Sequence, residues 1–438
     1  MKVFKFGGAS VKDAAAIANL KDILLGYQDE KTVVVVSAMG KTTNFLEQVL
    51  DSYRNGKEDL DALVEELELR HQDTVRQLFG SPGKCCEEVE NLFGQLREQL
   101  RQPVSDNYDY DYDRIVSFGE LLSTTIISDY LNSQRIGCEW VDARRIIRTD
   151  NTYREGRVDW DTTGRLVRCR FDEFLKTNSQ VLLTQGFIAG TAENQTTTLG
   201  REGSDYSAAI LAYSLDAESV TVWKDVPGIL NADPKRFPDA VKIDTLTYYE
   251  TVELAYYGAS VIHPKTLRPL HQKNIPLFVK SFFNPGLPGT KITGKAEDSN
   301  LPSIIVKDNQ LLVSISPRDF SIIGVDSLSE ILSILSEHRL KINMMQNSAL
   351  TFTVCTDNRP MSLTPCLEAL KQRYAVKYND DVELITIRHY DTDTESRVLK
   401  DREVYIRQNS RHTLQAAVAK NKTAMKPGVF RFEINELL

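Results

Sequence analysis

The sequence predicts an α/β protein: a three-layer αβα arrangement around an open, mostly parallel sheet, followed by a small ferredoxin-like βαββαβ region. Three observations predict it. Strand-like and helix-like segments alternate through the first two thirds of the chain. Several strand candidates are continuous β-branched or apolar runs, the mark of strands covered on both faces. After residue 300 the rhythm changes to short strands punctuated by two amphipathic helices.

The elements follow in order. Val3–Phe6 is a β-rich run, and Val11–Leu25 a helix with Ile17, Leu20, Leu24 and Leu25 on one side. Thr32–Ser37 is a buried strand, and Thr43–Leu50 opens the next helix. Asp59 to Leu78 is a polar helical stretch closed by Gly80-Ser81-Pro82-Gly83, and Glu87–Leu100 is another helix. Arg114–Ser133 reads as one helix containing Gly119. Val181–Ile188, Ser219–Trp223 and Pro276–Val279 are further buried strands. A Pro/Gly-rich and then polar stretch across 284–302 marks a boundary, giving a domain over 1–300 and a second region over 301–438. In the second region Leu311–Ile315, Lys341–Met345, Leu350–Cys355 and Val382–Ile387 are strands. Leu328, Ile331, Leu332 and Leu335 mark one helix face, and Thr364 caps another helix with Pro365 at its first position. The tail holds a strand candidate at Val404–Ile406 and a weakly apolar stretch at Leu414–Val418.

The composition narrows the function. Of 438 residues, 53 are Lys or Arg and 61 are Asp or Glu, a net charge of −8 that argues against a general nucleic-acid binder. No apolar run approaches the length of a membrane span, and no signal-peptide segment opens the chain. Six scattered Cys form no zinc spacing and read as the reduced thiols of a cytoplasmic protein. No metal site is expected from side chains, and neither a hydrolase triad nor zinc chemistry fits.

In open parallel sheets ligands bind beyond the carboxyl ends of the strands, so the loops there carry the chemistry. Lys5-Phe6-Gly7-Gly8-Ala9-Ser10 places a cation and two glycines between a strand and a helix start. It is either a phosphate cradle or an ordinary strand-to-helix turn. Gly40-Lys41-Thr42 is not a P-loop, because Val35 stands where that motif needs its first glycine. Ser37, Thr42 and Thr43 at the same strand end either bind a small polar ligand or cap the next helix. In Leu199-Gly200-Arg201-Glu202-Gly203-Ser204-Asp205, two glycines flank a guanidinium suited to bidentate carboxylate recognition. Glu120, in the mostly apolar Ser117-Phe118-Gly119-Glu120 context, needs a partner to be buried: a ligand's ammonium or a structural cation. Trp223 to Pro234 is a polar turn after a strand, able to edge a nucleotide. His263, before Pro264, reads as structural.

Taken together and in this order, these segments resemble the aspartokinases of the amino-acid-kinase family. The resemblance rests on Lys5-Phe6-Gly7-Gly8-x-Ser10-Val11, Ser37-Ala38 with Thr43-Asn44, Ser117-Phe118-Gly119-Glu120, Gly186-Phe187-Ile188, Leu199-Gly200-Arg201-x-Gly203-Ser204-Asp205, Trp223-Lys224-Asp225-Val226-Pro227-Gly228 and Tyr257-Gly258-Ala259-x-Val261-Ile262-His263-Pro264. It covers nearly the whole chain, and the region after 303 resembles the family's ACT regulatory region, its second unit shortened.

The resemblance implies transfer of the ATP γ-phosphoryl group to the β-carboxylate of L-aspartate, the entry to lysine, threonine and methionine synthesis. Lys5 would stabilise the transferring phosphate beside Gly7 and Gly8, with Asp205 orienting it. Ser37, Thr43, Glu120, Arg201 and Ser204 would hold aspartate, Glu120 at its ammonium and Arg201 at its α-carboxylate. Lys224, Asp225, Asn231, Asp233 and Lys235 would border the nucleotide, with Mg²⁺ carried by ATP. Asn343, Met344, Gln346, Asn347 and Ser348 would meet a lysine or threonine effector, although Ala349 cannot pair its ammonium. The ACT region would form a homodimer, and dimerisation alone is the other reading of it. No homoserine dehydrogenase segment is expected after Leu438. The chain departs from the family pattern at Ala9 (Thr is usual), Glu202 (Gly) and Ser260 (Lys). Rival expectations are a kinase for glutamate, acetylglutamate or a nucleotide, and an amino-acid sensor with a degraded site.

Overall fold

A computed structural model describes residues 1–81, 83–259, 262–295, 301–319 and 321–420. The chain forms two compact units: Met1–Leu230, Ala240–Tyr256 and the described part of Ser260–Ser299 make the first, and Asn231–Asp239, Tyr257–Ala259 and the described part of Asn300–Leu438 the second. Among the described residues no helix is long and apolar enough to cross a membrane.

In the first unit the strands are β1 (Lys2–Phe6), β2 (Thr32–Val36), β3 (Cys138–Val141), β4 (Val181–Gln185), β5 (Ile188–Gly190), β6 (Thr196–Thr198), β7 (Ser219–Lys224), β8 (Thr245–Thr247), β9 (Leu277–Ser281) and β10 (Thr290–Thr293). Its helices are α1 (Ala14–Leu25), α2 (Thr42–Asn55), α3 (Leu60–Phe79), α4 (Lys84–Arg101), α5 (Tyr108–Val116), α6 (Phe118–Ser133), α7 (Ala143–Ile146), α8 (Trp160–Leu175), α9 (Gly203–Ser214), α10 (Tyr248–Tyr257) and α11 (Pro264–Gln272). Eight strands make one sheet in the order β3-β4-β2-β1-β7-β9-β10-β8. The run from β3 to β9 is parallel, and only β10 meets its neighbour β9 antiparallel. The order reverses at β1, so the loops after β1, β2, β4 and β7 open side by side.

Alternation along β1 sets the layers. Phe4 and Phe6 join one apolar cluster with Val34 and Val36 of β2, Ile17 and Leu20 of α1, and Leu122 and Ile126 of α6. Each such fully buried side chain contributes about 1.5–3 kcal/mol. Lys5, between the two phenylalanines, faces the other side and meets α9.

Three segments differ from expectation. Arg114–Ser133 is two helices, broken at Ser117, because Ser117 and Gly119 interrupt the turn where α6 must approach the β2 loop. Val181–Ile188 stops at Gln185, where Gly186 and a left-handed Phe187 turn the chain into a separate β5–β6 hairpin. The helix expected from Thr364 starts at Pro360, so Thr364 and Pro365 lie inside it. Pro365 lacks only the N–H that would reach Met361, whose backbone lies in the water-accessible first turn. The short strands β3, β8 and β10 were not legible, being brief segments without a buried run.

The second unit continues with β11 (Ser303–Pro317), α12 (Val325–Glu337), β12 (Ile342–Asn347), β13 (Phe352–Asp357), α13 (Pro360–Arg373), β14 (Tyr374–Arg388), α14 (Thr392–Leu399), β15 (Val404–Asn409) and β16 (Thr413–Ala419). This is the expected βαββαβ order with a helix and two strands added. The six strands form an antiparallel sheet, β12-β13-β11-β14-β16-β15. Leu311, Val313 and Ile315 pack with α12 and α13, and Leu312, on the other face, packs with Met344, Cys355 and Leu384. The 15-residue strands β11 and β14 run the length of the sheet, so their far halves pair with what would be a second, shorter ACT unit. The expected boundary at 300 falls outside the described residues.

Candidate functional site

The β1 loop is held to the β2 loop through backbone hydrogen bonds, and Ser10 Oγ donates to Trp223 O (3.3 Å). Gly40 N donates to Gly8 O (3.0 Å), and Ser37 N donates to Phe6 O (3.1 Å). A side chain at Gly8 would meet the Gly40 and Ala38 carbonyls at 2.7 and 2.8 Å, so only glycine lets the two loops touch. The same holds after β4, where a Cβ on Gly186 would lie 2.5 Å from Ser204 at the start of α9. Four sequence-distant loops thus meet at the sheet's carboxyl edge.

Lys5 Nζ lies 2.6 Å from Asp205 Oδ1, and both side chains are buried. Burial pushes the Asp205 carboxyl up, but the charges of Lys5 and Lys224 outweigh it and hold the group below the usual carboxylate range. Desolvating two ions offsets most of their attraction, so a buried pair of this kind adds little to stability. What it provides is an ammonium locked beside the Gly7-Gly8 turn, and a glycine turn with a fixed cation is a phosphate-binding arrangement.

Glu120 is 2% exposed in the first turn of α6. Its Oε1 accepts from Ala38 N (3.2 Å), and its Oε2 is buried with no hydrogen-bond partner among the described residues. Burial pushes its carboxyl up to about 8, against the opposing effects of the Ala38 N–H and Lys5. A half-satisfied carboxyl in a closed site is built to receive a cation. Ser123, one turn on, donates to Ser37 O (2.8 Å) and ties α6 to the β2 loop. Ser37 and Thr43 are half-buried along that loop.

Arg201 is exposed and Ser204 buried at the mouth of α9. Between them Glu202 takes a left-handed conformation, φ 54°, which explains why glycine suits this position. Asp113 is the residue that sequence reasoning missed here. Its Oδ2 accepts from Arg154 N (2.8 Å) and Thr198 N (2.9 Å), and its Oδ1 from Thr198 Oγ1 (2.7 Å). Burial pushes it up to about 6 while these hydrogen bonds pull the other way. An acidic residue one turn before Ser117-Phe118-Gly119-Glu120 was its only signal.

Lys224 ends β7, and Asp225 follows it, exposed. Asn231, Asp233 and Lys235 lie in the second unit. There Asn231 Nδ2 donates to Pro302 O (2.9 Å), and Asp233 closes a turn by accepting from Lys235 N (2.9 Å). Arg236 on the same loop pairs with Glu383 (3.2 Å). Ser260 lies outside the described residues. Lys265 donates to Leu199 O (3.1 Å), and His263 caps α11 by accepting from Lys265 N, the structural role expected of it. Among the described residues no three His, Cys, Asp or Glu side chains gather as metal ligands.

In the second unit, Asn343 is buried. Its Nδ2 donates to Gln310 Oε1 and Asp357 Oδ1 (both 2.8 Å), and Lys307 donates to its Oδ1 (2.9 Å). Met344 is buried in the sheet, whereas Gln346, Asn347 and Ser348 are exposed along the edge strand β12 and the turn after it.

The family model for the amino acid kinase family matches residues 1–281. Lysine-sensitive aspartokinase 3 of Escherichia coli (strain K12) is 32% identical over 358 residues, spanning 81% of this chain and 78% of that protein. Chloroplastic aspartokinase 1 of Arabidopsis thaliana is 34% identical over 81% of this chain and 63% of its own length. Among solved structures, E. coli aspartokinase III in complex with lysine and aspartate (T-state) matches with a TM-score of 0.81 at 27% identity, covering 96% of both chains. The same enzyme with aspartate and ADP (R-state) matches with a TM-score of 0.79. The chain belongs to the amino acid kinase family and, within it, to the aspartokinases.

Proposed function

We propose that the protein is an ATP-dependent aspartate kinase that phosphorylates the β-carboxylate of L-aspartate to 4-phospho-L-aspartate, the first step toward lysine, threonine and methionine. The observation that carries this reading is the pairing of two charge arrangements at one sheet edge. A buried ammonium, Lys5, is set beside a glycine turn, and a buried carboxyl, Glu120, has one oxygen unsatisfied. The first suits a transferring phosphoryl group and the second suits a substrate ammonium.

The chemistry asks little more of the protein. A β-carboxylate is already ionised at neutral pH, so it attacks without a general base, and catalysis rests on positioning and charge neutralisation. Lys5, oriented by Asp205, would neutralise charge on the transferring group, with the Gly7 and Gly8 amides beside it. Glu120 would take the ammonium and Arg201 the α-carboxylate, with Ser37, Thr43 and Ser204 completing the amino-acid site. Lys224 and Asp225 would border the nucleotide. Mg²⁺ would be held by the nucleotide's phosphates rather than by a protein cage, and it would neutralise phosphate charge there.

In the second unit, the exposed Gln346, Asn347 and Ser348 are the proposed contacts for an amino-acid effector. Lysine is the first candidate, since the E. coli relative is lysine-sensitive and was solved with lysine. A homodimer through the ACT region, a division near residue 300 and a cytoplasmic location complete the proposal.

Hydroxylamine trapping of the acyl phosphate, with MgATP and aspartate, glutamate or acetylglutamate, tests the reaction. Hydroxamate from aspartate alone is expected. Hydroxamate from glutamate or acetylglutamate instead would overturn the substrate. Nucleotide binding with no product from any of them would make the protein a sensor.

A further inference from the structure

The proposed amino-acid site has its two charged ends on different elements. Glu120 is on α6, whereas Arg201 is on the loop between β6 and α9. That loop is exposed at Arg201 and begins with Gly200 in a left-handed conformation, φ 78°. Something must fix where it starts.

Thr198, the last residue of β6, is the fixed point. Its N–H and hydroxyl both go to the Asp113 carboxylate. Its carbonyl accepts from Gly156 N (2.9 Å). Leu199 N then donates to Phe187 O (2.8 Å). Asp113 therefore joins three segments: α5, the 149–158 loop through Arg154 N, and the strand end three residues before Arg201. Its helix α5 leads through Ser117 into α6, so the same carboxylate sits about two helical turns before Glu120 along one connected segment.

Among the described residues the carboxylate does this with neutral donors and no ion pair. The Arg154 guanidinium lies over the Tyr112 ring (4.3 Å) and reaches Asp109, so only its backbone N–H serves Asp113. A fully buried carboxylate satisfied by three neutral donors is a specific locating device, because each donor is held to one place and no charge pair adds to stability.

We propose that Asp113 is a positioning residue for the amino-acid substrate, holding the start of the Arg201 loop at a set separation from the helix that carries Glu120. The proposal rests on the reading that Glu120 and Arg201 hold the two ends of aspartate. Asp113 is 0% exposed, so it would act through these segments and not by contact with substrate or nucleotide.

The test is steady-state kinetics of Asp113→Ala, Asp113→Asn, Thr198→Val and Arg201→Ala. In Asp113→Ala, two buried N–H groups and a hydroxyl lose their acceptor, and KM for aspartate should rise about tenfold or more. The turnover number and KM for ATP should stay within about threefold. Asp113→Asn can keep both N–H bonds on its oxygen and turn its amide to Thr198 Oγ1, so it should recover most of the loss. Thr198→Val removes one donor without opening the core and should raise KM for aspartate by about threefold; it carries the test if Asp113→Ala does not fold. Equal rises in KM for aspartate and ATP, or a fall in turnover with KM unchanged, would overturn the proposal. If Arg201→Ala itself leaves KM for aspartate unchanged, the reading of Arg201 fails, and the positioning role fails with it. A normal Asp113→Ala beside an impaired Arg201→Ala overturns the role of Asp113 alone.

Discussion

The strand-end site of the first unit and the edge strand β12 of the second use polar residues in opposite ways. Around Lys5, buried polar groups are left partly open to a ligand: Glu120 has a free oxygen, and Lys5 stands at the glycine turn. Around Asn343, every buried polar group is spent on its neighbours, Gln310, Asp357 and Lys307, and only the exposed Gln346, Asn347 and Ser348 remain to meet another molecule. Burial of a polar residue in this protein therefore has two meanings. In the sheet edge of the second unit it ties the strands together, and at the carboxyl ends of the first it leaves the Glu120 oxygen available for the proposed ligand.

The largest effect that bears on this contrast is Lys5→Ala. It should lower turnover by about 10²–10³-fold, the scale on which one preorganised charge donor acts, as read from kcat under saturating substrates. Near-normal turnover would put Lys5 on the structural side of the comparison. Asn343→Ala should instead cost about 2 kcal/mol of stability, because it leaves buried partners unsatisfied, and a shift in the denaturation midpoint measures it. Basal kinase rate should not change. Asn347→Ala should alter stability by less than about 0.5 kcal/mol. An effect of the opposite sign is expected at the α9 mouth: Glu202→Gly removes a left-handed non-glycine residue and should stabilise the protein by about 0.5–1 kcal/mol. A destabilised Glu202→Gly would mean that the glutamate side chain is holding the loop rather than straining it.

How much of this was legible in the sequence depended on where the information lies. The parallel core announced itself through runs such as Thr32–Ser37, because strands buried on both faces have nowhere to place polar residues. Lys5, Glu120, Arg201 and Asp205 were legible as chemistry because each breaks the pattern around it: a cation at a strand end, a carboxyl in an apolar helix, a guanidinium between glycines. Their convergence was not legible, since it depends on Gly8 and Gly186 admitting neighbouring backbone. Asp113 was missed for the same reason: its three donors come from residues 41 and 85 positions away. Asn343 was placed at the effector site by resemblance, and a polar residue on a short strand looks the same in sequence whether its partners are in the sheet or in solvent.

The half-satisfied Glu120 is the proposed receptor for the substrate ammonium. With its carboxyl pushed up to about 8, the empty site is mostly protonated at pH 7, and binding an ammonium favours the ionised form. Aspartate binding should therefore release about one proton, and affinity should rise about fivefold between pH 7 and pH 8. Calorimetric titration of aspartate at pH 7, in two buffers of different ionisation enthalpy, counts that proton directly. Nearly full release is expected from the native protein and none from Glu120→Gln. No release from the native protein, or equal release from both, would contradict this role for Glu120.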